Sequence, residues 1–155
     1  MELADVIEVR QNKIERKLFK KNSDNKCFYC GKTIRMISDK TLDHKNPLDR
    51  GGIDAASNYC IACKKCNMEK SNMTVKEYET FKILTQEWDK DITDIARSIV
   101  LEQIKLKDEV DWKVINKENA MQRYVNMLKE ELIDKSKVKS KIPDEIPIKD
   151  RKSVV

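Results

Sequence analysis

The chain has 155 residues, about one domain's worth by length, of which 38% are charged and 39% apolar. That apolar share suits a thin helical core under a heavily solvated surface and falls short of a thick sandwich or barrel. A formal net charge of +5 biases the surface mildly toward polyanionic partners. No apolar run approaches the roughly eighteen residues a membrane span requires, and the start at Met1-Glu-Leu-Ala-Asp5 lacks the basic and apolar segments of a signal peptide. A reduced, cytoplasmic setting with no membrane partner is expected.

Leu3, Val6, Ile7, Arg10, Ile14 and Leu18 recur at three- and four-residue steps, so residues 1–22 are expected to form an amphipathic helix with Lys13, Arg16, Lys17, Lys20 and Lys21 on its exposed side. Asn22 to Asn25 breaks it. Thr33 to Ile37 and Lys40 to His44 suit two short strands, and Asn46-Pro-Leu-Asp-Arg-Gly-Gly52 supplies a loop with permissive backbone. Asp54 to Asn58 leads into a further strand. After Cys63 the pattern turns helical, with a second helix start at Thr74, where Glu77 completes a capping box. That helix is expected to turn Tyr78, Phe81, Ile83 and Leu84 toward the core. Ile92, Ile95, Ala96, Ile99, Val100 and Ile104 make one apolar helix face, and Met121, Tyr124, Val125, Leu128 and Leu132 another. The expected organisation is a domain over 23–88, a helical region over 89–135 and a charged, disordered tail over 136–155. No internal repeat and no phosphate-cradling glycine loop are present in the sequence.

Two Cys-x-x-Cys pairs lie about thirty residues apart, and four thiolates at that spacing suit a tetrahedral zinc ion that staples a small fold. An iron–sulfur cluster or simple buried thiols are the alternatives; a disulfide framework needs a secreted context. Cys60, Cys63 and Cys66 are three residues apart, so spacing alone does not choose the second pair. We assign Cys27, Cys30, Cys63 and Cys66 as ligands and Cys60 as a small buried hydrophobe. Between the pairs stands the sole histidine, His44, directly after Asp43.

Thr41-Leu-Asp-His-Lys-Asn-Pro-Leu-Asp-Arg-Gly-Gly52, then Ser57-Asn58-Tyr59, then Cys63-Lys-Lys-Cys-Asn-Met-Glu-Lys70 resembles the HNH endonuclease family. The resemblance covers about residues 27 to 78. It implies an α+β fold: a small ββα-metal core stapled by the four-cysteine zinc site and flanked by N-terminal and C-terminal helices. It also implies a metal-dependent nuclease acting on DNA, with His44 as general base and Asn58 orienting it. Asp43 and Asn67 would hold a divalent metal, and Lys70 and, more weakly, Arg50 would contact phosphate. Asn67 stands where the family name has a second histidine, and one carboxylate with one amide oxygen favours hydrated Mg²⁺ or Mn²⁺ over softer ions.

Each chemical need of phosphodiester hydrolysis then has a candidate. A water must lose a proton, and His44 is the side chain suited to take it near neutral pH. Lys70 lies one turn after Asn67 on the same helix face. Two further readings stand beside the free-standing nuclease. One is the nuclease subunit of a larger phage-defence or restriction complex, or a homodimer, docked through the C-terminal helices. The other is a non-catalytic zinc-ribbon module that binds nucleic acid and leaves Asp43, His44 and Asn67 without a task.

Overall fold

The computed structural model describes residues 2–141, with side-chain surroundings through residue 135. Helix α1 runs Leu3–Asn22, with Asp5 in its first turn and Lys20 and Lys21 in its last, charges that oppose the helix dipole favourably at each end. The backbone then turns into a compact knuckle, in which Cys27 N donates to Lys32 O at 3.0 Å and Gly31 N to Cys27 O at 2.9 Å. Strands β1, Lys40–His44, and β2, Tyr59–Cys63, form an antiparallel hairpin with Asp43 opposite Cys60 and His44 opposite Tyr59. Helices α2 (Lys64–Lys70), α3 (Val75–Thr85), α4 (Lys90–Lys107) and α5 (Lys117–Lys141) follow. The result is the expected α+β arrangement, with a ββα unit at its centre. Among the described residues no helix is long and apolar enough to cross a membrane.

Alternation along the hairpin decides what faces what. Thr41, Asp43, Cys60 and Ala62 share one face with α2 against it, and Leu42, His44, Tyr59 and Ile61 share the other, where α1 brings Phe19 edge-on to Tyr59 at 5.5 Å. The core continues from Cys27, Ile34, Ile61 and Ala62 through Met73, Tyr78 and Phe81 to Ile92, Ala96, Val100, Ile104 and Ala120. The Thr74 capping box forms as expected, with the Thr74 side chain accepting from Glu77 N and the Glu77 carboxylate from Thr74 N.

Several elements differ from expectation. Thr33 to Ile37 is not a strand: Thr33 makes only an isolated bridge to Lys26, and Met36 and Ile37 are exposed, so the segment buries no apolar face that would hold it against the hairpin. In α3 the buried face is Tyr78, Phe81 and Thr85, at i, i+3 and i+7, while Ile83 and Leu84 turn outward. Helix α1 buries no residue fully, and Leu3, Ile7, Ile14 and Leu18 are half exposed or more, since the face laid on the hairpin is the one carrying Arg16 and Phe19. In α5, Met121, Val125, Leu128 and Leu132 are likewise exposed, and the contact with α4 falls to Ala120 and Tyr124. Helix α5 runs on to Lys141, past the expected start of the tail, and residues 142–155 lie outside the described residues.

Candidate active site

The four cysteines Cys27, Cys30, Cys63 and Cys66 place their sulfurs within 4.8 Å of one another, close enough to hold one metal ion. Each knuckle turns a backbone amide onto its first sulfur, Cys30 N to Cys27 Sγ at 3.5 Å and Cys66 N to Cys63 Sγ at 3.4 Å. Such bonds favour the thiolate form. Burial works to raise the Cys27 thiol, yet the amides of Cys30, Cys63 and Tyr29 outweigh it and bring it down to about 7. Burial foremost pushes Cys63 and Cys66 up; Cys27 adds to the rise at both, while Cys66 acts to lower Cys63. Four thiolates in this volume therefore need a cation among them, and the donor set fits zinc's preference for tetrahedral sulfur. Cys60 is outside the cluster; it is buried against Tyr29 and Asp43, and burial foremost raises its thiol to about 11, so it remains a neutral hydrophobe.

On the α2 side of the hairpin, Asp43 is buried with Oδ2 bonded to Tyr29 Oη and facing Lys70 Nζ at 3.1 Å. Asn67 Nδ2 donates to Thr41 Oγ1 at 2.9 Å, two positions along the same face. These bonds engage Asp43 Oδ2 and Asn67 Nδ2, and among the described residues Asp43 Oδ1 and Asn67 Oδ1 make no hydrogen bond. A hard divalent cation takes oxygen donors of this kind and keeps several waters.

Lys70 and Arg50 are placed otherwise than phosphate contact requires. Lys70 is 0% exposed, with Nζ donating to His44 O at 3.1 Å as well as to Asp43. The helix spacing that sets it beside Asn67 also turns it into the hairpin, so it supports Asp43 from within. The side chain of Arg50 is 9% exposed: it is forked onto Glu77, bonds Asp108 Oδ1 at 2.7 Å and reaches Asn72 O at 3.1 Å. The hydrogen bond from Arg50 and the Thr74 amide hold the Glu77 carboxyl below the usual range against burial, which acts to raise it. Arg50 thus ties the loop after β1 to α3 and to the end of α4.

That loop is shaped by two glycines and an asparagine. Gly51 sits at φ +86°, and a Cβ on Gly52 would lie 1.9 Å from Asn46 O. Asn58 Oδ1 accepts from Asn46 N at 2.9 Å, while its Nδ2 donates to Asn46 O at 2.8 Å and Ile53 O at 2.9 Å. Asn58 therefore holds the loop, and among the described residues its side chain makes no hydrogen bond to the His44 ring.

The ring partner is Asp54. His44 Nε2 lies 2.9 Å from Asp54 Oδ1, Tyr59 Oη donates to the same oxygen at 2.6 Å, and Arg16 from α1 pairs with Oδ2. Burial would raise the Asp54 carboxyl, but the bonds from His44 and Tyr59 and the charge of Arg16 bring it below its ordinary value. An ionised carboxylate only accepts, so Nε2 donates to it, and in the neutral ring the lone pair then lies on Nδ1. The arrangement is a carboxylate-backed imidazole at 20% side-chain exposure. Sequence reasoning misses Asp54 although it is the only acid between Gly52 and Asn58; Arg16, 38 residues from Asp54, carries no local signal.

Residues 27–73 match the family model described as HNH endonuclease. No curated protein matches the chain. The matched segment contains the cysteine cluster, Asp43, His44, Asp54, Asn58, Asn67 and Lys70; α1 with Arg16 and helices α3 to α5 lie beyond it.

Proposed function

We propose that this HNH domain hydrolyses DNA phosphodiester bonds, with His44 as the general base and Asp54 as its positioning residue. The carrying observation is the 2.9 Å bond between His44 Nε2 and Asp54 Oδ1, which in the neutral ring leaves Nδ1 as the acceptor nitrogen. A proton from water passes to Nδ1 as the water oxygen bonds to phosphorus and the bond to the leaving oxygen breaks. Asp54 holds the ring tautomer and offsets the positive charge that forms on it. When bound by Asp43 and Asn67, Mg²⁺ or Mn²⁺ supplies charge stabilisation to the phosphate and leaving oxygen. Lys70 and Tyr29 orient Asp43, and Asn58 keeps the loop folded so that Asp54 reaches His44. Zinc on Cys27, Cys30, Cys63 and Cys66 holds the scaffold and takes part in no step.

The test is cleavage of supercoiled plasmid with Mg²⁺, Mn²⁺ or EDTA, beside His44→Ala. One active site per chain is expected to nick one strand. The substitution is expected to cost about 10²- to 10⁴-fold, the usual share of a general base. Equal nicking by His44→Ala contradicts the assignment, and activity with Zn²⁺ equal to that with Mg²⁺ contradicts the hard-metal site.

A second reading is favoured by the apolar side chains that α1 and α5 leave exposed. In it the chain is the nuclease subunit of a homodimer or larger assembly, silent or weak alone. A monomer on a sizing column with full nicking activity contradicts it.

A further inference from the structure

Beside His44 lies a cleft of about 320 Å³ that the mechanism does not use. Phe19, Tyr59 and Phe28 supply its aromatic lining, with Lys26 and Lys45 as cations and Ser23 and Asp24 as polar groups. Phe28 is 51% exposed although it sits in the rigid first knuckle, where its backbone N donates to Ile61 O at 2.8 Å and its ring meets Tyr29 edge-on at 5.2 Å. Lys45, the residue after His44, sets its ammonium 5.2 Å from the Phe28 ring centroid. Among the described residues neither Lys26 nor Lys45 is paired with a carboxylate.

We infer that this cleft is a nucleobase subsite, in which an unpaired base of the DNA strand stacks on Phe28 while Lys26 and Lys45 meet the flanking phosphates. The inference rests on the nuclease reading and extends it to substrate class: a strand with an unstacked base next to the scissile phosphate. An exposed aromatic ring flanked by unpaired lysines is what such binding needs, because every base has a π-face and the phosphates carry the charge. The knuckle backbone sets where the ring emerges and the edge contact with Tyr29 limits its swing, which reduces the ordering lost when a base stacks on it. An apolar peptide would leave both lysines unanswered, and a stacked duplex would not present a free base face. The rim groups Asp24 and Ser23 can accept from base amino groups, which orients the base without strict sequence readout.

The test measures binding of a single-stranded oligonucleotide carrying 2-aminopurine by the full-length His44→Ala chain, whose cutting is expected to be slowed about 10²- to 10⁴-fold. Phe28→Ala in that background is expected to weaken binding about 5- to 150-fold, the span of base–aromatic stacking, and to remove the fluorescence quenching. Phe28→Trp should retain both, which excludes a folding defect as the cause. On an oligonucleotide with abasic positions, Phe28→Ala should have no effect while Lys45→Ala still weakens binding. Unchanged affinity of Phe28→Ala on the intact strand, an equal loss on the abasic strand, or no binding by the parent chain overturns the subsite. Plasmid nicking by the unsubstituted chain reports separately on the nuclease reading: absent nicking with Phe28-dependent binding would overturn the free-standing nuclease and leave the subsite standing.

Discussion

Asp43 and His44 are neighbours in sequence, yet they occupy opposite faces of the β1–β2 hairpin, and the two faces are built differently. The α2 face is closed: Asp43, Lys70 and Cys60 are buried together, with Asp43 Oδ2 bonded to Tyr29 Oη and paired with Lys70 Nζ. The α1 face is partly open: His44, Asp54 and Arg16 form a chain of bonds with side chains between 20% and 33% exposed. The difference teaches why one strand can serve two tasks. The buried carboxylate is held in one orientation by its partners, whereas the half-open imidazole can exchange protons with water.

The largest expected effect removes what both faces hang from. Cys66→Ser, or zinc stripped by a chelator, is expected to abolish the cooperative thermal transition, since structural zinc sites contribute about 10 kcal/mol or more of apparent folding free energy. A retained transition in circular dichroism contradicts the staple. Next, the faces should part in stability. Lys70→Met leaves the buried Asp43 carboxylate unpaired and should cost about 3–5 kcal/mol in urea denaturation. Arg16→Gln, at a partly exposed pair, should cost about 1 kcal/mol or less. Equal losses would erase the contrast.

In activity the order should reverse in kind. Asp54→Asn is expected to leave the fold intact while lowering the cleavage rate about tenfold or more, as loss of an orienting carboxylate does. The smallest effect is on acid stability. The Asp54 carboxyl is held below its ordinary value, so its contribution is present above about pH 3.9 and lost as pH falls through the lower folded value. Asp54→Asn should therefore flatten the stability curve below about pH 4, measured by denaturation at a series of pH values.

Much of the closed face is legible in the sequence. Cys-x-x-Cys spacing, Asp43 at alternation from His44, and Asn67 with Lys70 at helical spacing are local patterns, and each ends on the face its period dictates. The role of Lys70 is not legible, because the same spacing that brings it to Asn67 also buries it. The open face is less legible, for its bonds are long-range: Asp54 reaches His44 only through the loop that Gly51, Gly52 and Asn58 fold, and Arg16 arrives from another helix. Periodicity alone predicts that helix α1 buries its apolar stripe, but an aromatic anchor at Phe19 and the charge on Asp54 set its rotation instead.

The division between the faces is tested most directly by measuring Mn²⁺ binding and plasmid nicking on the same zinc-loaded preparations of His44→Ala and Asp43→Ala. The account predicts that His44→Ala binds Mn²⁺ as the unsubstituted chain does while nicking is lost, and that Asp43→Ala loses both. Nicking retained by His44→Ala, or Mn²⁺ binding unaffected by Asp43→Ala, would contradict it.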